Sequence, residues 1–517
     1  VPDSKIIGPY GYSGGLNTDA SLLTLPKGQL STLQNMIVEQ GQLKPVPGYS
    51  TASITQPPVV TNQFYMTLLA ANLTVSSEYA GYLFLPWRND VAMTGGCLYC
   101  KNFTGSWTSM GNGPYAAYGY VYSADVLNNV VTFVAFSGML GASAASGIGI
   151  WQWDGTGDTT QPTVNPTNAP IAFKVVNNFA FVVDCKGIVA WSSVGDPTTW
   201  PANNSLTFRY GDGDMCVALG RIGNTLYIFK LHSIGALQTN TVIISGSVAL
   251  GPLYTIYDKI GTFSMNSVDN LPTGELVFWG SDYNIYKFDG SNLTNLSKRS
   301  YPQSSIQENI NSFISSNSGI GPNYLSLKVV PIFNSIILNI GGQTSGGVLT
   351  ATKSWAYNYV SDYWYMPTPT FSSLCCLEAF GSASTWNPTS VTEVCVGMNM
   401  LSTSIYNVSN NYLSFNGTAI SGQAVVSIPY TFESRDTIPR SVIIPFTINA
   451  SDSITITPGD DGTYRSGTSP TPTGNLQRVI IPLNFSDSTM SKQIKITTSS
   501  SNDFSINPVV LDTEIGH

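Results

Sequence analysis

Val130-Val-Thr-Phe-Val-Ala-Phe136 decides the fold class. Its side chains are β-branched, aromatic or small, and no 3.6-residue spacing of polar positions divides them into a helix face. A short run of this kind, bounded by turn formers, is a strand covered on both sides. Runs of the same type recur as Phe179-Ala-Phe-Val-Val183, Thr225-Leu-Tyr-Ile-Phe229, Glu275-Leu-Val-Phe-Trp279, Ser335-Ile-Ile-Leu-Asn339 and Ser491-Lys-Gln-Ile-Lys-Ile-Thr-Thr498. Gly, Asn, Asp or Pro separates them, and helical periodicity is nearly absent. The fold class is therefore all-β.

A smaller signature repeats between the strands: an aromatic residue, then Asp, Asn or Thr, then Gly. It appears as Phe103-Thr-Gly105, Trp153-Asp-Gly155, Phe288-Asp-Gly290 and Phe415-Asn-Gly417. Asp-Gly and Asn-Gly supply the positive φ angles of a tight hairpin turn, and the aromatic is expected to pack across the hairpin. Tyr357-Asn-Tyr-Val-Ser-Asp-Tyr-Trp364 is a longer variant. Such hairpins at irregular intervals predict a β-propeller-like core over 51–430, with a sandwich as the competing arrangement. Residues 1–50 read as an extended N-terminal arm ending in a hairpin that turns at Gln40-Gly41, expected to order against a neighbour. Residues 158–170 are a Pro/Thr connector, and 431–517 a small C-terminal β unit.

Composition narrows the function classes. Charged residues make up 10% of the 517, against roughly 25% in an ordinary soluble domain. Hydrophobic residues stand at 42%, so Ser, Thr, Asn and Gly have replaced the missing charge. Such a surface suits a protein covered by copies of itself or by partners. The net charge of −8 argues against gripping nucleic acid through phosphates, while a weakly acidic wall would let a polyanion slide past. No apolar stretch approaches the ~20 residues of a membrane span. The seven Cys, an odd number, read as buried thiols and favour assembly in a reducing compartment.

Nothing in the chain composes an active site. There are two His, His232 and the terminal His517, with no Gly-x-Ser-x-Gly elbow and no paired His for a catalytic metal. Ser192-Ser-Val-Gly-Asp-Pro-Thr-Thr-Trp200 is only superficially similar to the Asp-box turn of sialidases, because Gly195 precedes Asp196 and Pro197 follows it. Acidic pairs occur in Gly211-Asp-Gly-Asp214 and Gly459-Asp-Asp-Gly462. They could bind Ca²⁺ or act as a carboxylate pair, but Asp and Gly so arranged are more often turns. The chain is expected to be no enzyme and to need no cofactor or metal. Asp212, Asp214, Asp460 and Asp461 remain as channel-facing or turn acids.

Three stretches together resemble the tail nozzle and packaged-DNA stabilisation proteins of short-tailed bacteriophages. The first is Tyr12-Ser-Gly-Gly-Leu-Asn17 with Leu25-Pro-Lys-Gly28 and, with a slight departure, Lys44-Pro-Val-Pro-Gly-Tyr49. The second carries the most specific order: Trp191-Ser-Ser-Val-Gly-Asp-Pro-Thr-Thr-Trp200, Gly211-Asp-Gly-Asp-Met215 and Leu226-Tyr-Ile-Phe-Lys230. The third is Phe278-Trp-Gly-Ser-Asp-Tyr-Asn-Ile-Tyr-Lys-Phe-Asp-Gly290. The resemblance implies a homohexameric ring below the portal and adaptor of a phage tail, with propeller-like subunits around a DNA channel. It implies no catalytic residues.

The expected function is accordingly a structural virion protein of the tail, assembled in the host cytoplasm, that retains packaged DNA and conducts it at ejection. Its partners would be itself, the portal–adaptor proteins, and DNA passing without sequence-specific contact. The alternative is a receptor- or glycan-binding viral surface protein, for which 27 Tyr and 10 Trp could furnish sugar platforms. A glycoside hydrolase on a propeller would need two carboxylates in one pocket, ~5–9.5 Å apart.

Overall fold

A computed structural model describes residues 4–20, 25–26, 28–52, 54–57, 63–65, 68–76, 78–89, 94–101, 106–110, 119–137, 149–162, 170–240, 242–244, 247–298, 305–316, 325–343, 349–368, 371, 373–380, 391–399, 404–409, 414–429, 437–460, 463–482 and 491–515. The chain is all-β, with one α-helix of ten residues, Gln307–Ser316, among the described residues.

From Gln63 to Tyr365 the described strands fall into six antiparallel sheets taken up in chain order, besides a small two-stranded hairpin of Val242–Ile244 and Ser247–Ala249. Sheet one holds Gln63–Tyr65, Leu69–Val75, Glu78–Asn89, Thr94–Lys101 and Thr108–Ser109; sheet two holds Gly119–Leu127, Val130–Ser137 and Gly149–Trp153. Sheet three is Pro170–Val176, Phe179–Asp184, Ile188–Trp191 and Ser205–Thr207, and sheet four Cys216–Ile222, Thr225–Lys230, Ile234–Gln238 and Leu253–Tyr257. Sheet five is Val268–Asn270, Leu276–Trp279, Ile285–Phe288 and Leu293–Asn295, and sheet six Leu325–Val330, Ser335–Gln343, Leu349–Asn358 and Tyr363–Tyr365.

Turn chemistry fixes the register of each meander. Leu127 pairs with Val130 across Asn128 (φ 48°) and Asn129 (φ 65°), and Val176 pairs with Phe179 across Asn177 (φ 49°) and Asn178 (φ 61°). Two successive positive φ angles make the primed two-residue turn that matches strand twist, and Asn tolerates it. The aromatic–Asx–Gly signature proves more varied. Phe415 and Thr418 flank a true two-residue turn at Asn416-Gly417, whereas Asp289 opens a wider loop by accepting from the Ser291 and Asn292 amides at 2.8 and 2.7 Å. Residues 102–105 lie outside the described ones. The aromatic also packs differently from the expectation. Phe288 meets Tyr227 of sheet four edge-on at 5.1 Å, and Trp153 meets Tyr82 of sheet one at 5.7 Å. Sheets stacked face to face put the ring against the next sheet rather than across its own hairpin.

A seventh set of strands, Ser373–Phe380, Val391–Asn399 and Ser404–Ser409, is completed by Gly48–Thr51 from the other end of the chain, with Val408 opposite Tyr49. One strand from each of the seven sets, the first of each except in sheet one, neighbours the next in a closed cycle: Leu69–Val75, Gly119–Leu127, Pro170–Val176, Cys216–Ile222, Val268–Asn270, Leu325–Val330, Ser373–Phe380 and back to Leu69–Val75. Apolar clusters fill the spaces between consecutive faces. Phe84 and Phe133 join sheets one and two, Val134 and Phe173 sheets two and three, Phe181 and Ile228 sheets three and four, and Phe229 and Phe278 sheets four and five. Leu83 and Leu85 then meet Cys375 and Met398, so the seventh set packs on the first.

The remaining strands of both chain ends interweave. One sheet runs Gln477–Pro482, Thr437–Thr447, Val509–Ile515 with Ser505–Ile506, then Ser4–Tyr10 and, through Gln42–Pro45, Met36–Glu39. Thr418–Pro429 pairs with Gln29–Gln34 on one edge and Ser491–Ser500 on the other. The described strands of the N-terminal arm thus find partners within their own chain: Ser4 lies opposite Glu514, and the buried Tyr12 hydroxyl donates to the Asn507 carbonyl at 2.8 Å. Asp19 reaches the helix, where its carboxylate accepts from the Glu308 amide at 3.0 Å as a cap.

Candidate functional site

The acidic turn Arg209–Met215 links sheet three to sheet four. Arg209, Gly211 and Gly213 take positive φ angles of 47°, 77° and 83°, which fold the segment into a knot over the end of strand Thr225–Lys230. Lys230 is fully buried, and its Nζ donates to Asp212 Oδ1 at 2.7 Å and to the Arg209 carbonyl at 2.8 Å, 5.5 Å above the Phe208 ring. Arg209 Nε sits 2.9 Å from Asp212 Oδ2, and its Nη1 reaches Asp258 at 2.5 Å. Burial pushes the Asp212 carboxyl upward, but the Lys230 hydrogen bond, the Asp214 amide and the charges of Lys230 and Arg209 outweigh it and hold the group below the usual carboxylate range. Asp214 accepts from the His232 amide at 3.0 Å and from Ser233 Oγ at 2.8 Å. Both acids are committed to closing this turn, and the exposed His232 takes part through its backbone.

Asp460 ends strand Ser453–Asp460, opposite Thr463 and Lys492, in a different sheet. Asp461 lies outside the described residues. Asp212 and Asp214 thus share one turn, and Asp460 lies in another sheet.

Gly195-Asp-Pro197 is likewise built into the frame. Gly195 (φ 70°) donates to the Asn178 carbonyl at 2.7 Å, and the buried Trp200 donates through Nε1 to the Pro197 carbonyl at 2.8 Å. Hydroxyls of Thr198 and then Thr199, with their amides, hold the Asp196 carboxyl below its ordinary range. Cys97, Cys100, Cys185, Cys216 and Cys375 are present as thiols. Cys97 and Cys100, three apart on one strand, face opposite sides and enter different clusters. Burial pushes the Cys216 thiol up to about 12.

A second constellation has no counterpart among the residues singled out from sequence. Five successive strands of the cycle each carry one charge: Asp125, Lys174, Arg221, Asp269 and Lys328. Asp125 Oδ2 accepts from the Val175 amide at 3.0 Å and lies 3.8 Å from Lys174 Nζ. Asp269 Oδ2 does the same three sheets on, accepting from Val329 at 3.0 Å and pairing with Lys328 at 2.9 Å. Between them Arg221 donates to the Val175 carbonyl at 3.2 Å, and Asn270 donates to the Arg221 carbonyl at 2.8 Å. Each link ties the backbone of one sheet to a side chain of its neighbour.

A cleft of about 740 Å³ opens between the hairpin Met36–Pro45 and the turns of sheet six at Ile332–Asn334 and Asn358–Ser361. Glu39 and Asp503 bring two carboxylates to it and Lys44 one ammonium, which lies 2.9 Å from Glu39. That hydrogen-bonded carboxylate, opposed by partial burial, pushes the Lys44 ammonium above its ordinary range. Among the described residues no group of His, Cys, Asp and Glu is placed to hold a metal ion.

No protein-family model matches the chain, and no curated protein does. Solved structures give only weak likenesses. The computationally designed Ika8 protein aligns at 9% identity over 70% of this chain and 99% of its own, with a TM-score of 0.35. An exo-β-1,3-galactanase of Phanerochaete chrysosporium aligns at 11% identity over 90% and 99%, with a TM-score of 0.26. A further glycoside hydrolase aligns at 10% identity over 86% and 97%, with a TM-score of 0.25. These likenesses correct one expectation: with glycoside hydrolases among the similar structures, the exclusion of an enzyme made from sequence is withdrawn. At such TM-scores no activity passes to this chain.

Proposed function

We propose that this chain is a structural virion protein of a phage tail, a nozzle or tail-tube subunit whose copies form a ring that holds packaged DNA and conducts it at ejection. The observation that carries the reading is where the most specific resemblance falls. Trp191 to Trp200, Gly211 to Met215 and Leu226 to Lys230 are frame residues: Trp200, on the Pro197 carbonyl, packs sheet three against sheet two, and Lys230 on Asp212 closes the junction between sheets three and four. A shared motif made of frame residues is what a shared architecture would preserve. The seven sets of strands, with one strand from each in a closed cycle and the N-terminal strand completing the last, are read as blades of a β-propeller. Interwoven chain ends close the ring of blades and leave the sparsely charged surface for neighbouring copies and the portal–adaptor proteins. A net charge of −8 keeps a passing polyanion from sticking.

The test is assembly. Mixed with a portal–adaptor complex of a short-tailed phage, the chain should co-sediment as a single ring on its distal face. Failure to associate, with the chain remaining monomeric, would overturn the reading.

A further inference from the structure

The sheet that joins the two chain ends has two opposite margins with complementary character. At one margin, strand Gln477–Pro482 pairs only with Thr437–Thr447 among the described strands. Leu476 and Ile480 project from it with 70% and 58% of their surface exposed, beside the exposed Arg478. The preceding loop is tied into a fixed shape: Thr468 exchanges amide–carbonyl bonds with Ile456, Gly474 donates to the Ile448 carbonyl at 2.9 Å, and Gln477 bonds the backbone of Thr471 and Thr473. Residues 463–482 contain Arg465 and Arg478 and no acid. This margin exposes two large apolar side chains and is basic.

At the other margin lies strand Met36–Glu39 with the cleft of about 740 Å³ against it. The cleft is lined by Ile37, Val46, Ile332 and Phe333, has Val360 exposed at its rim, and carries Glu39 and Asp503 against the single Lys44. It is a concave cleft of mixed lining, on balance acidic. Because the two margins are the far edges of one sheet, a chain cannot insert its own loop into its own cleft.

We infer that the 476–480 edge of one copy seats in the 36–47/332–361 cleft of the next copy, with Leu476 and Ile480 entering beside Ile37, Ile332 and Phe333 and Arg478 facing Asp503. The contact is head-to-tail, so each copy offers one free edge and one free cleft until the ring closes. Apolar burial supplies the attraction, and the opposed charges select this register over the reverse one. The inference rests on the ring reading above, and names the surface through which such a ring would form.

Sedimentation velocity of the full chain separates the two claims. The wild type should assemble in a concentration-dependent way. Arg478→Glu and Asp503→Lys should each shift assembly to concentrations about tenfold higher. The combined Arg478→Glu/Asp503→Lys chain should return near wild type, which a folding defect would not do. Leu476→Asp with Ile480→Asp, both at exposed positions, should leave monomers with an unchanged circular dichroism spectrum. If the wild type assembles and the variants assemble equally well, this interface is wrong while the ring stands. If the wild type stays monomeric at high concentration, the ring itself fails and the interface with it.

Discussion

The seven stacked sheets and the interwoven chain ends are two ways of building β structure from the same residue types. In the sheets, pairing partners are close in sequence: Val176 meets Phe179 across two residues, and Leu276 meets Phe288 within one short hairpin. In the interwoven part, Ser4 meets Glu514, Leu30 meets Val426 and Ile506 meets Leu43. Local pairing costs little loop-closure entropy, whereas long-range pairing must be held by a large shared core. That core is present: Tyr12, Leu30, Met36, Ile444, Phe446, Ile494 and Ile506 belong to one buried cluster that also reaches sheet six through Trp355 and Trp364. The difference teaches that the sheets can form before the ends are joined, while the joined ends depend on nearly every part of the chain being in place.

The largest blow to the woven half should come from Tyr12→Ala. It empties a fully buried site and orphans the Asn507 carbonyl, at a cost of about 4 kcal/mol. Denaturant unfolding followed by hydrogen exchange should show residues 29–45 and 437–515 losing protection first, with 170–240 keeping theirs. Uniform loss across both halves would mean that they are one cooperative unit.

Within the stacked half, Asp212→Asn should cost about 3 kcal/mol, because Lys230 is left buried with its charge uncompensated. The carboxyl is held below its ordinary value, so its contribution is fully present above about pH 4 and is lost as pH falls through the depressed folded value. Acid unfolding of wild type should therefore be steeper below about pH 4 than that of the variant. Identical acid limbs would show that Asp212 does not hold Lys230.

A smaller effect should follow Asp19→Ala at the junction of the two halves. It removes the cap that the arm gives the helix Gln307–Ser316, for about 1 kcal/mol in thermal melts. Asp19→Asn should recover most of it, since the amide oxygen can still accept.

How much of this the sequence could show depends on the range of the interaction. Strand runs such as Val130–Phe136 and the Gln40-Gly41 and Asn416-Gly417 turns are visible because strand and turn chemistry is local. Asn128-Asn129 and Asn177-Asn178 carry the same turn geometry without the glycine that draws attention to it. The strand Gly48–Thr51 reads as part of an arm, because nothing in its four residues names Ser404–Ser409 as its partner. Asp212 and Asp214 stood out as a motif, but their use in the frame is set by Lys230, His232 and Ser233, brought back over 18 or 19 residues by the fold. Asp125, Lys174, Arg221, Asp269 and Lys328 had a readable signal: single charges on the first strands of successive sheets, in a chain with only 10% charged residues. What sequence could not supply is that those strands are neighbours.

The most direct test of the central claim is cryo-electron microscopy of the purified full-length chain at high concentration. The account predicts closed rings of copies joined head-to-tail, each copy a cycle of seven stacked sheets with its two ends interwoven, around an open lumen wide enough for duplex DNA. Isolated single copies, or assemblies without a lumen, would contradict it.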